Sequence, residues 1–188
     1  MIRLLRGLLL AAAWLVSPLH AQDAPNWLSE PVPAALIHLS EPAANEVVVM
    51  INDNALGGNH AGLFAGKILF DPAGSYLGVR RQDKTWSAAS LADYARYQTT
   101  DGLKVRFYRF RLSEQALAQL QQRIADALPT PPLFCASAVQ NLLVGIAPFT
   151  ALESTGFTTP SALAKRLDGL TRGASAAGEC QQLDATRC

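Results

Sequence analysis

The spacing of apolar residues changes along the chain, and each change predicts an element. EVVVMIND (46–53) is a continuous, β-branched apolar run and predicts a buried strand. NALGGN follows as a turn cluster, and HAGLFAG (60–66) and KILFDP (67–72) predict the two short strands of a hairpin. LGVRR predicts a further strand near 75–81, and 82–87 a loop. SAASLADYARYQ (87–98) has helical spacing, with Leu91, Tyr94 and Ala95 on one face. KVRFYRFRL (104–112) alternates, with Val105, Phe107, Arg109 and Arg111 opposed to Arg106, Tyr108, Phe110 and Leu112. One of its sides is mixed, which predicts a strand near a sheet edge.

The second half reads mostly as helix. SEQALAQLQQRIADAL (113–128) opens on Ser113, a natural N-cap, and carries a Leu117, Leu120, Ile124, Leu128 stripe. PTPP (129–132) stops it. From Cys135 to Gly145 the chain is apolar nearly all round and predicts a buried helix. TTPSALAKRL (158–167) places Thr159 as a cap before Pro160 at the first helical position. The tail from Gly173 is small and polar and is expected to be loosely ordered, and no internal repeat is visible.

The first 21 residues change the compartment. Arg3 and Arg6 make a positive n-region, Leu8–Val16 is a nine-residue apolar run, and Ala21 offers a small residue for cleavage. That run is too short to cross a bilayer, which takes about 20 apolar residues. The organisation expected is therefore a signal peptide (1–21), a Pro- and Ala-rich arm with Trp27 (22–44), a domain (45–172) and a tail (173–188). The mature protein is expected to be periplasmic or secreted, without stable membrane insertion. Without Arg3 and Arg6 the 16 Lys and Arg fall to 14 against 15 Asp and Glu, so no basic surplus supports nucleic-acid binding.

An oxidising compartment favours cysteine pairing, and this chain has three cysteines. Cys180 and Cys188 lie eight apart in the polar tail and predict a local disulfide. Cys135 is left as the free thiol. PTPPLF cannot be helical and ASAVQNLLVGI can, which puts Cys135 at the first turn of a helix. There the unsatisfied N–H groups and the helix dipole lower a thiol pKa.

A nucleophilic thiolate needs a base and a group to orient that base. His20 lies in the signal segment, and His38, in ALIHLSEP, suits a packing or surface role. His60 opens a strand, which holds an imidazole rigidly. Asp71 is the candidate orienting group. A turn on Ala65-Gly66 sets His60 directly opposite Asp71, whereas a turn on Gly66-Lys67 makes Asp71 a diagonal neighbour. The remaining patterns carry less: NDN (52–54) with Gly57 lacks the downstream ligands of a calcium loop, and no zinc spacing, G-x-S-x-G or phosphate loop is present. No cofactor or metal is therefore expected. Arg80, Arg81, Arg106, Arg109 and Arg111 suit an anionic substrate or, more ordinarily, a solvated face.

HAGLFAGKILFDPAG resembles the histidine segment of the NlpC/P60 cysteine peptidases of the papain-like superfamily, through His60, Gly62, Leu63, Phe64, Gly66 and Asp71. His60 precedes Cys135, which resembles the circularly permuted branch that includes lecithin–retinol-acyltransferase-like proteins. There a late helix carries the cysteine, as FCASAVQNLL would. The resemblance implies an α+β, papain-like core in which the Cys135 helix packs on an antiparallel sheet. It implies acyl chemistry at Cys135, with His60 as base, Asp71 as orienting residue and the Cys135 N–H among the oxyanion donors. The expected substrate is a peptide or amide from cell-wall peptidoglycan. A lipid or small-molecule acyl hydrolase or acyltransferase on the same fold is the second expectation, and a catalytically silent envelope binding or accessory protein the third.

Overall fold

The computed structural model describes residues 32–82, 88–174 and 176–188. The expected signal segment, the arm up to residue 31 and most of the 82–87 loop lie outside the described residues. The protein is α+β, built on a five-stranded antiparallel sheet of order β3-β2-β1-β4-β5. The strands are β1 (Glu46–Asn52), β2 (His60–Ala65), β3 (Ile68–Phe70), β4 (Val105–Arg111) and β5 (Gly178–Gln181). Among the described residues five α-helices accompany them: α1 (Tyr76–Arg80), α2 (Leu91–Gln98), α3 (Glu114–Ala125), α4 (Cys135–Leu143) and α5 (Pro160–Thr171).

β1 is buried at every residue, which explains its unbroken apolar run: both faces of the sheet are covered. On one face Val47, Val49 and Ile51 join Leu120 of α3, Val139 of α4 and Leu163 of α5. On the other, Val48 and Met50 join Phe64, Tyr76, Leu91 and Tyr94. Ser113 and Thr159 cap α3 and α5 by accepting from the N–H of Ala116 and Ala162, as their positions predict. Among the described residues no helix is long and apolar enough to cross a membrane.

Three expectations are corrected. LGVRR is helix, not strand: α1 is a short turn tied down by Tyr76 Oη and Arg80 Nε, which both donate to Asp93 Oδ2 at 2.7 and 2.8 Å. β4 is an interior strand, between β1 and β5. Its mixed face is explained by Arg109, which is buried and bidentate to Glu46 at 3.1 and 2.7 Å, and which also donates to the Ser40 and Glu41 carbonyls. The tail is not loose, because Gly178–Gln181 forms the edge strand β5 and the Cys180–Cys188 disulfide closes the segment that follows it. Of the two hairpin turns left open, the one observed centres on Gly66-Lys67, with Ala65 paired to Ile68. Gly66 has φ +60°, and a two-residue turn with glycine in the first central position meets that demand at no steric cost.

Candidate active site

Two elements deliver the histidine and its partner. His60 is the first residue of β2 and lies opposite Asn52 of β1. Asn52 is itself fixed, donating through Nδ2 to the Gln98 carbonyl and to Asp101. β3 pairs only with Leu63–Ala65, so the 60–62 end of β2 has no strand partner on that side. Asp71 follows β3 there. The observed register makes it a diagonal neighbour of His60 rather than a direct one. The side chains still meet: His60 Nε2 lies 2.7 Å from Asp71 Oδ1, and the carboxylate is 1% exposed.

Cys135 is the first residue of α4, whose apolar face packs on β2. The preceding Leu133 has φ +72°, so the chain turns sharply into the helix. At the first helical position the Cys135 N–H has no intrahelical acceptor. The cysteine is free and buried, and its thiol feels the charge of His60. With Nε2 engaged by Asp71, Nδ1 is the ring nitrogen left for the thiol. The three expected residues, Cys135, His60 and Asp71, are thus brought together, with His60 bonded to Asp71 and acting on the thiol, while His38 is exposed and its N–H binds the Leu183 carbonyl.

The electrostatics follow from these contacts. Burial opposes a charged His60, but its hydrogen bonds to Asp71 and Cys135 more than compensate and raise it from 6.5 to about 9. Burial likewise opposes a thiolate at Cys135. The His60 hydrogen bond and charge, with the Ala61 and Ala136 N–H groups, overcome it and lower the thiol from its ordinary value. Both shifts favour a thiolate–imidazolium pair. No protein-family model, curated protein or solved structure matches the chain.

The surroundings differ on the two sides of the pair. A cleft of about 140 Å³ opens beside His60, lined in part by Asn59, Ala73, Ser75, Tyr97 and Asp101. Just before Cys135 in the chain, Leu133 and Phe134 are exposed and apolar, and Phe134 meets the exposed Phe157 edge to face with ring centroids 5.5 Å apart. Three larger clefts among the described residues are lined by none of the three site residues. Among the described residues no group of three or more His, Cys, Asp or Glu is arranged to hold a metal ion. Of the arginines considered for an anionic substrate, Arg80, Arg106 and Arg109 are ion-paired, to Asp93, Asp53 and Glu46.

Sequence reasoning missed the Ala61 and Ala136 N–H groups, which carry no side-chain signal. It also missed Tyr94, whose hydroxyl donates to Asp71 Oδ1 at 2.8 Å. Tyr94 was legible only as a core position on α2, although a buried tyrosine hydroxyl requires a partner.

Proposed function

We propose that the protein is an exported cysteine hydrolase of the permuted papain-like type that cleaves an amide bond in peptidoglycan peptides. The observation that carries this reading is the convergence of Cys135, His60 and Asp71, with His60 bonded to Asp71, the thiol lowered and the imidazole raised. The thiolate attacks the carbonyl carbon, forming a C–S bond, and the oxyanion is met by the Cys135 N–H at the start of α4. The C–N bond then breaks, and the His60 imidazolium gives its proton to the leaving amine. Water attacks the thioester while His60 takes its proton, releasing the acid and the free thiol. Asp71 holds the ring throughout.

The signal-like N-terminus supports an envelope-derived substrate, and the small cleft beside His60 supports one without a bulky acyl chain. The exposed Leu133, Phe134 and Phe157 side chains favour the second reading, an acyl hydrolase for lipid or small-molecule esters and amides. Purified peptidoglycan and a panel of acyl esters, each incubated with wild type and with Cys135→Ala, decide between them. Release of stem-peptide fragments by wild type alone is expected. Equal release by a folded Cys135→Ala protein refutes the catalytic reading, and cleavage confined to the esters moves the assignment to the second.

A further inference from the structure

Asp71 has an unusual pattern of partners for a carboxylate that is 1% exposed. An ionised carboxylate offers about four lone-pair sites. Here Oδ1 receives both side-chain hydrogen bonds, from His60 Nε2 at 2.7 Å and from the Tyr94 hydroxyl at 2.8 Å, while Oδ2 is buried without a partner. Tyr94 therefore supplies one of the two side-chain contacts that fix the carboxylate plane.

Tyr94 is itself held firmly. Its ring is fully buried and packs edge-on against Phe64 and Tyr76, with centroids 5.8 and 4.9 Å away. Its helix, α2, starts on a Ser90 cap, with the Glu41 carboxylate accepting from the N–H groups of Leu91 and Ala92. A second observation concerns Gly62, whose register position faces Asp71 across the hairpin. A Cβ at Gly62 would lie 2.2 Å from Tyr94 Oη. The hydroxyl thus reaches Asp71 through space that a missing side chain leaves open, an arrangement that a tyrosine serving only to fill the core does not require.

We propose that Tyr94 is a positioning residue for the thiolate–imidazolium pair: by donating to Asp71 Oδ1 it keeps the carboxylate in the orientation that presents His60 to Cys135. This rests on the cysteine-hydrolase reading. Without the hydroxyl the carboxylate keeps only His60 as a side-chain partner and is free to turn about its Cβ–Cγ bond, so the ring loses its fixed direction. The titratable groups around this assembly are Asp71 and Cys135 against His60, Tyr76 beside Tyr94, and Tyr97 and Asp101 in the neighbouring cleft.

The test is the rate of Cys135 alkylation by iodoacetamide against pH in wild type, Tyr94→Phe and Tyr108→Phe. Tyr108→Phe is a matched control, because it deletes another tyrosine–carboxylate hydrogen bond, to Asp168 at 2.8 Å. Wild-type Cys135 should react fast near pH 6. Tyr94→Phe should react about tenfold more slowly there, with the acidic limb of its profile moved to higher pH, while its thermal unfolding midpoint drops no further than the control's. Gly62→Ala keeps the tyrosine but displaces its hydroxyl, and should shift the profile the same way. An unchanged profile in whichever of the two variants folds overturns the positioning role. A wild-type thiol inert near pH 6 overturns the underlying cysteine-hydrolase reading instead.

Discussion

Replacing Cys135 by alanine should make the folded protein lose stability as pH rises through a window in which the wild type holds steady. The sign follows from two opposite linkages. His60 is raised from 6.5 to about 9, so its contribution is fully present below 6.5 and is lost as pH climbs through about 9. Cys135 is lowered from 9.0, so its contribution is present above 9.0 and is lost as pH falls through the folded-state value. Between 6.5 and about 9, folding therefore retains a proton on His60, and from the lowered Cys135 value up to 9.0 it releases one from Cys135. Where the two ranges overlap they cancel, and the pair adds no net slope. Alanine at position 135 removes the release and leaves the uptake.

One uncompensated proton corresponds to about 1.4 kcal/mol per pH unit. The span from 6.5 to about 9 bounds the total loss near ~3 kcal/mol. Cys135 contributes part of the rise in His60, so the variant should show a smaller fall, of about 1–3 kcal/mol. The Asp71 hydrogen bond, the stronger of the two that raise His60, survives the substitution. The assay is urea unfolding of both proteins at about pH 6, 7, 8 and 9 at constant ionic strength, with the Cys180–Cys188 disulfide intact. Parallel stability curves for the two proteins would falsify the pairing of Cys135 with His60. A fall in the wild type as steep as in the variant would mean that the thiol keeps its proton in the folded state.

Glu46→Ala should cost about 3–5 kcal/mol in urea unfolding, because Arg109, 5% exposed in its side chain, would be left as a buried charge without its counter-ion. A loss below about 1 kcal/mol would show that the carbonyls of Ser40 and Glu41 suffice to hold the guanidinium. Serine at both Cys180 and Cys188 should cost about 2–3 kcal/mol by freeing a short loop, with no change in Cys135 alkylation. A slower Cys135 in that variant would contradict the separation of tail and site.

What the sequence made legible follows from how local each signal is. Ser113 and Thr159 cap helices by contacts three residues away, so their positions alone predict the helix starts. Cys180 and Cys188 pair within eight residues. His60 and Asp71 lie on one hairpin, and their meeting survives either register because a carboxylate reaches a diagonal neighbour as well as a direct one. The turn itself was ambiguous because both Ala65-Gly66 and Gly66-Lys67 contain the glycine, and only the observed pairing of Ala65 with Ile68 assigns it to the first central position. The misplaced elements depend on distant partners. Tyr76 and Arg80 of α1 are held by Asp93, and Arg109 stays inside the sheet because of Glu46, 63 residues away. The strand formed by Gly178–Gln181 has little pattern of its own and exists as an addition to β4.

The two-sided burial of the sheet also explains why the site lies where it does. Cys135 comes from the layer that packs on Val47, Val49 and Ile51, and Tyr94 from the layer on Val48 and Met50. His60 and Asp71 belong to the β2–β3 hairpin between them. The layers meet at the end of β2 that β3 leaves uncovered, where the Ala61 N–H is free to turn toward the thiol. A sheet extended by a longer β3 would occupy that N–H and close the edge. The shortness of β3, three residues against six in β2, is thus what lets a helix on one face and a helix on the other act on a single histidine.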